Sequence, residues 1–351
     1  LTYVSGLEKV GNSLFAISSG SSIYEIELSS TTTSAEIWTT RDSDTTKDLH
    51  GVAYGNNTFV AVGNSGKSFS STDGINWTFR TTPENGGYRF NAVSFGNNTF
   101  VVVGNAGVIL TTQDGITWEP QVQGDPNEPN LRGISFENDI FVAVGDGGTI
   151  LTSADGTTWT TRTSGITSRL NGVTYGNGVF VAVGDGGKIV TSPDGTIWTA
   201  QTSGTTNGLS GAAFGNDTFV AVGTLGKIVT STDGSTWIPK YPPRASSSNK
   251  VLFANNTFVA VGVIDPGTGN EGTIFTSADA TNWAEPPSGT TQQLNGLAYA
   301  NSTFVTVGTS GTILTSPDET TSSATVSTVT LGGLDISSAY FEKMTASGQD
   351  L

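Results

Sequence analysis

The strongest pattern along the chain is a short apolar run that returns again and again between polar turns. Residues 171–198 read NGVTYGNGVFVAVGDGGKIVTSPDGTIW. Within this stretch Phe180 and Ala182 point one way along an extended backbone, and Val181 and Val183 point the other. Both faces are apolar, which predicts a strand covered on both sides. A GVTY-like strand precedes it across a G-N-G turn, the kind that supplies the positive φ of a tight hairpin. A Gly184-Asp185-Gly186-Gly187 turn leads on to KIVTS, and S-P-D-G-T-I-W leads to a fourth strand beginning near Trp198. The unit therefore reads as four antiparallel strands, A to D.

The same unit recurs at 50–77 (HGVAYGNNTFVAVGNSGKSFSSTDGINW) and at 91–118 (NAVSFGNNTFVVVGNAGVILTTQDGITW). Further copies begin at Arg132, Ser210, Asn249 and Asn295, and a worn copy occupies the start, with GNSLFAISSG at 11–20 and EIWTT at 36–40. Tryptophan is an independent ruler: Trp38, Trp77, Trp118, Trp159, Trp198, Trp237 and Trp283 are spaced by 39, 41, 41, 39, 39 and 46 residues, and only the last copy lacks one. A four-stranded unit with a period near forty is the spacing of a β-propeller blade. The expected fold is all-β, a propeller of about eight four-stranded blades, or seven if the worn first copy and the incomplete last copy share a blade. The first copy reads as containing all four of its strands, so first and last blades are expected to meet noncovalently. Residues 1–331 are expected to form this single domain. ATVSTVTL (324–331) is a candidate final strand D or a strand lent to another chain. Residues 332–351, without repeat character, form a tail for docking or a disordered end.

Composition narrows the function. A net charge of −15 and a sequence pI near 4.3 argue against nucleic acid, whose phosphates require clustered Lys and Arg, and against anionic lipid. Cysteine is absent, which removes disulfides, thiolate nucleophiles and Cys-ligated zinc. No apolar run approaches the roughly 18 residues of a membrane span. The chain opens on Leu1 with no initiator Met, as a processed chain or a fragment would.

The turns between strands C and D read Ser71-Thr72-Asp73-Gly74, Thr112-Gln113-Asp114-Gly115, Ser153-Ala154-Asp155-Gly156, Ser192-Pro193-Asp194-Gly195, Ser231-Thr232-Asp233-Gly234 and Ser277-Ala278-Asp279-Ala280, each followed by Trp. These resemble the Asp-box (BNR-type) repeats of sialidases, sortilin-like receptors and some glucanases, with Asp and Gly one residue closer than in that pattern. The whole unit is also similar to propeller repeats of phage tail proteins, bacterial surface proteins and photosystem-assembly factors. The resemblance covers nearly all of residues 5–318 and implies a fold rather than an activity. It assigns Asp73, Asp114, Asp155, Asp194, Asp233 and Asp279 a structural role. Their carboxylates accept backbone N–H groups of their own turn, with the Trp ring as a cover.

Catalysis finds no footing. The sialidase comparison calls for three clustered arginines, a Tyr–Glu pair and an Asp acid. Arg41, Arg80 and Arg162 follow the outer strand, and Tyr54, Tyr175 and Tyr299 fill a strand A position that is Phe95, Phe136 or Phe214 elsewhere. No carboxylate pair presents itself for glycoside hydrolysis. His50 is the single histidine, too little for a triad or a His-based metal site. The chain is read as no enzyme, with neither cofactor nor metal. The N-x-T triplets at Asn56, Asn97, Asn216, Asn255 and Asn301 all fall in the A–B turn, where the turn itself calls for Asn.

Loop lengths point to a working face. The A–B and C–D turns keep their length, whereas 81–89, 121–130, 240–249 and 263–271 vary, and all four map to the opposite face. Insertions confined to one face of a repeat protein often mark its binding surface. The residues expected to meet a ligand or partner there are His50, Tyr88, Arg89, Asn91, Arg132, Arg169, Asn171, Tyr241, Lys250 and Asn295. The expected function is a non-enzymatic adhesion, receptor-binding or assembly module, extracellular, on a cell surface or on a virion. Its partner is a protein or glycan on another surface, with possible assembly through the C-terminal tail. An Asp-box glycoside hydrolase and a photosystem-assembly-type scaffold are the alternatives.

Overall fold

The computed structural model describes residues 4–10, 13–18, 23–27, 38–83, 87–244, 246–264, 271–316, 328–331 and 334–337. The B–C insertion over 265–270 and the tail beyond 337 lie outside these residues.

The blade containing Leu170–Gly176, Val179–Gly184, Lys188–Ser192 and Thr199–Thr202 is a four-stranded antiparallel meander. Val173 pairs with Ala182, Ala182 with Val190 and Val190 with Ala200. The two-sided apolar strand of the sequence is buried on both sides. Phe180 and Ala182 pack with Val142 and Val144 of the preceding blade, and Val181 and Val183 with Leu209 and Phe219 of the following one. The Tyr175 ring lies 4.6 Å from Phe180, and Phe180 lies 6.3 Å from Trp198, so three aromatics tie strands A, B and the C–D turn together. Gly176 ends strand A where a methyl group would run into the Phe214 ring of the next blade.

The described residues contain seven such sheets. Their innermost strands are Leu49–Gly55, Phe90–Gly96, Leu131–Glu137, Leu170–Gly176, Leu209–Gly215, Ser246–Ala254 and Leu294–Ala300. We number the blades 1 to 7 in this order. Strand A of each blade packs on strand A of the next, and that of blade 7 packs on that of blade 1, which closes the ring. Blade 6 has three full strands and a single outer bridge between Thr276 and Ala284, because Pro286 and Pro287 interrupt its outer strand and proline cannot donate to a ladder.

The count of eight is corrected to seven, by the sharing foreseen as the alternative. The outer strand of blade 7 is Thr39–Arg41, from the start of the chain, pairing Thr315 with Thr39, Leu314 with Thr40 and Ile313 with Arg41. The first copy therefore does not hold four strands of one blade. Its other strands, Val4–Val10, Ser13–Ser18 and Ile23–Glu27, form a separate three-stranded sheet. Of the stretch 324–331, the described part does not supply the last blade's strand D either: Thr328–Leu331 pairs with Leu334–Ser337. The chain divides into two compact units, Ala35–Glu319 and a second formed by Leu1–Ser34 with Thr320–Leu351. The propeller domain expected over 1–331 narrows accordingly.

Candidate binding site at the mouth of the central channel

Strand A opens with a β-bulge in each blade, for example between Leu170 and Gly172. A bulge re-aims the side chain that it sets free from the ladder. The residue concerned is His50, Asn91, Arg132, Asn171, Ser210, Asn249 or Asn295, one from each of the seven blades, and all seven line one depression of about 320 Å³. A cavity lined by the innermost strand of every blade lies on the axis of the ring. Arg89, Arg169, Asp185 and Gln293 complete its wall.

The asparagines of this ring also join neighbouring blades. The Asn91 amide donates to the Leu131 carbonyl at 2.7 Å, Asn171 to that of Leu209 at 2.9 Å, Asn249 to that of Leu294 at 2.7 Å and Asn295 to that of Leu49 at 2.9 Å. Asn91 and Asn171 also donate to Asn105 and Asp185 in the B–C turn of their own blades, both at 2.9 Å. Each of these amides therefore commits a donor to holding blades together, a role that sequence reasoning missed although the repetition of Asn at this position was visible.

The charged groups differ among themselves. Arg132 makes a bidentate pair with Asp146, both bonds at 2.9 Å, and Arg169 reaches the same carboxylate at 2.8 Å and Asp185 at 3.5 Å. Hydrogen bonds from Arg132 bring the Asp146 carboxyl down to about 2 against the opposing effect of burial, with Asn130 and Arg169 adding to the fall. Arg89 has no ion pair among the described residues. Its guanidinium is drawn below the usual range by partial burial and by Arg132 nearby, with Asp48 opposing. His50 donates from Nε2 to the Asn64 side chain at 2.9 Å and presents Nδ1 to Arg89 at 3.5 Å. Burial lowers the His50 imidazole below its ordinary range, the Asn64 bond opposes this, and Arg89 lowers it further. His50 is therefore neutral at pH 7. Two arginines bound to carboxylates and one free of them thus share a single wall.

Three of the expected contact residues lie outside that wall. Tyr88 is half-buried against the core of blade 2 and donates its hydroxyl to the Gly124 carbonyl at 2.8 Å. Tyr241 is exposed, with the Lys227 ammonium 4.9 Å from its ring centroid. Lys250 is half-buried next to Asn249 on the innermost strand. A second depression of about 630 Å³, between blades 4 and 5, is lined by Lys188, Gln201, Asn207, Lys227 and the Ser203–Thr206 loop; no sequence signal singled it out.

The six C–D turns use their aspartates alike, and in five of them the indole of the following Trp also bonds the turn. Asp155 Oδ1 accepts from the backbone N–H of Thr157 and Thr158 at 2.8 and 2.9 Å and from Ser153 Oγ at 3.0 Å, and the Trp159 indole donates to the Gly156 carbonyl at 3.0 Å. Asp73, Asp114, Asp194, Asp233 and Asp279 likewise accept backbone N–H groups of their own turns. These bonds hold the Asp155 and Asp233 carboxyls far below the usual carboxylate range. Among the described residues no three His, Asp or Glu side chains form a group able to hold a metal ion.

Comparison with known proteins agrees with this architecture. A family model described as the DUF6242 beta propeller domain matches residues 88–209. The chain is similar to known β-propellers. The structure of YCF48 bound to D1 peptide superposes with a TM-score of 0.63 at 21% identity, covering 82% of this chain and 99% of that one. YCF48 from Cyanidioschyzon merolae gives 0.62 at 16% identity, covering 80% and 98%. A catalytically inactive histidine-to-alanine variant of virginiamycin B lyase from Staphylococcus aureus, with quinupristin, gives 0.69 at 13% identity, covering 79% and 98%. No curated protein matches. At these identities the shared property is the fold.

Proposed function

We propose that this propeller is a non-enzymatic binding module that takes an acidic segment of a partner protein at the mouth of its central channel. The observation that carries the reading is the convergence of Arg89, Arg132 and Arg169 on one depression of a chain whose net charge is −15. A local positive potential on a negative molecule selects an anionic partner and repels other acidic surfaces from the rest of the protein. Asp146 and Asp185 orient Arg132 and Arg169, and Arg89 remains available to a ligand carboxylate. The neutral His50 adds a hydrogen-bonding group without changing the charge. A propeller of the same fold has been solved with a peptide bound, which supports a peptide as ligand.

The test measures binding of acidic, neutral and basic peptides to the full chain at several salt concentrations. Binding of the acidic peptide alone, weakened by salt and abolished by Arg89→Glu, is the expected result. Equal binding of all three, or of none, refutes the reading.

A further inference from the structure

The residue that follows the bulged one on strand A breaks the symmetry of the ring at one place. It is Gly51, Ala92, Gly133, Gly172, Gly211 or Gly296 in six blades and Lys250 in blade 6. The small residue has a steric cause. A Cβ would stand 3.0 Å from Ala92 Cα at Gly51, 2.6 Å from the Asn171 carbonyl at Gly133 and 3.2 Å from Lys250 Cα at Gly211. At this level each strand A therefore points the residue after its bulge at the backbone of the next, so a lysine placed here has little room to extend sideways between blades. The neighbouring Asn249 and the facing Asn295 both line the mouth.

The Lys250 ammonium has neither a hydrogen bond nor an ion pair among the described residues, and the residue is half-buried. Burial lowers the ammonium below the usual lysine range with no neighbouring group opposing it. A desolvated cation without a partner is costly to keep, and glycine would satisfy the packing as it does in neighbouring blades. What the lysine adds is a positive charge on an innermost strand, next to the mouth residue Asn249. Arg89, at the mouth, is the other cation of this region without a carboxylate partner.

We propose that Lys250 binds a carboxylate inserted along the axial channel from the arginine-lined mouth. The inference rests on the reading of the mouth as a site for an acidic segment and adds its inner contact. The carboxylate belongs either to a chain terminus or to an Asp or Glu side chain.

The experiment measures fluorescence anisotropy of a labelled tetraglutamate peptide, with free or amidated C-terminus, against the full chain and its Lys250→Met, Lys250→Gly and Arg89→Gln variants. Lys250→Met should weaken the free peptide about tenfold or more and should unfold at the wild-type temperature or above it, because it removes an unpaired charge. Lys250→Gly restores the residue of neighbouring blades and serves if the methionine variant does not fold. A lysine effect that vanishes on amidation assigns the group to a chain terminus, and one that survives assigns it to a side chain. Lys250 variants that bind both peptides like wild type, while Arg89→Gln binds them weakly, overturn this inference and leave the mouth reading intact. If the wild-type chain binds neither peptide, both fall.

Discussion

Trp38 packs against Phe304 with ring centroids 6.5 Å apart, although 266 residues separate them in the chain (304 minus 38). Phe180 and Trp198 stand 6.3 Å apart and Phe219 and Trp237 also 6.3 Å, each within one blade. Trp38 is thus the missing tryptophan of the last copy, delivered from the other end of the propeller with the outer strand that follows it. It is 5% exposed and shares a core with Leu314 and Leu294.

Closure of the ring should therefore depend on Trp38 as much as any blade depends on its own tryptophan. Trp38→Ala is expected to cost about 3–5 kcal/mol, the usual range for emptying a buried aromatic site, and Trp237→Ala a similar amount. Urea unfolding of the two variants measures this. A Trp38 variant as stable as wild type would mean that blade 7 holds together without its first-copy strand.

Asparagines of three N-x-T triplets also join blades, on the face opposite the mouth. Asn56 donates to the Gln113 carbonyl at 2.9 Å, Asn97 to that of Ala154 at 3.1 Å and Asn216 to that of Ala278 at 3.1 Å, each in the C–D turn of the next blade. The same side-chain nitrogen is the one that would carry a glycan. Expression in a glycosylating host should leave these sites unmodified once the protein has folded, as peptide mass mapping will report. On the mouth side, Asn171→Ala leaves the Leu209 carbonyl without its donor and should cost about 1–3 kcal/mol.

Acid should unfold the propeller through its turns. The Asp155 and Asp233 carboxyls sit below the ordinary value of 3.8 because backbone N–H groups bond the charged form. A carboxyl with a lowered folded-state pKa contributes its full stability above the unfolded value, and that contribution fades as pH falls from there toward the folded value. Stability should be flat from neutrality to about pH 5 and drop steeply below about pH 4. Asp155→Asn should flatten the drop, which thermal melts across this range will show. His50 is lowered from 6.5 by burial and gains its proton below that value, so affinity for an acidic peptide should rise with falling pH over the range in which the imidazole is protonated and the peptide carboxylates are still ionised.

Blade contact should be intolerant of a single methyl group at the end of strand A. Gly176→Ala meets the Phe214 ring, and the same relation holds between Gly96 and Phe136. Phe214 is itself pinned 4.6 Å from Phe219. Displacing it should cost about 1–3 kcal/mol by overpacking, read as a lower unfolding midpoint. Gly176 does not have positive φ, so its loss is steric; Gly178→Ala, at φ +79 in a turn where a Cβ meets nothing within 4 Å, should by contrast lose only what the left-handed backbone costs.

Much of this fold is local and therefore legible. Strand B of every blade is buried on both faces because Phe180 and Val181 and their counterparts say so by alternation, and the turns announce themselves through Asn-Asn, Gly-rich and Ser-x-Asp-Gly segments. The mouth was half legible. His50, Arg89, Asn91, Arg132, Arg169, Asn171 and Asn295 could be assigned to one face from strand order, and they do line one depression. Their partners could not be assigned, because Asp146 meets Arg169 across a blade boundary, at a distance no repeat period encodes. Tyr88 looked like loop surface, and its contact with Gly124 is equally nonlocal.

What the amino-acid order determined on its own is the blade, since strand, turn and apolar alternation act within about forty residues. Only the tertiary structure decided how many blades close the ring, because strand C of the last copy can accept its fourth strand from any segment with free backbone donors and acceptors, and Thr39–Arg41 is the one that reaches it. Only the ring, in turn, brings residues from seven blades to one axis, where their charges either pair or stay free to meet a ligand.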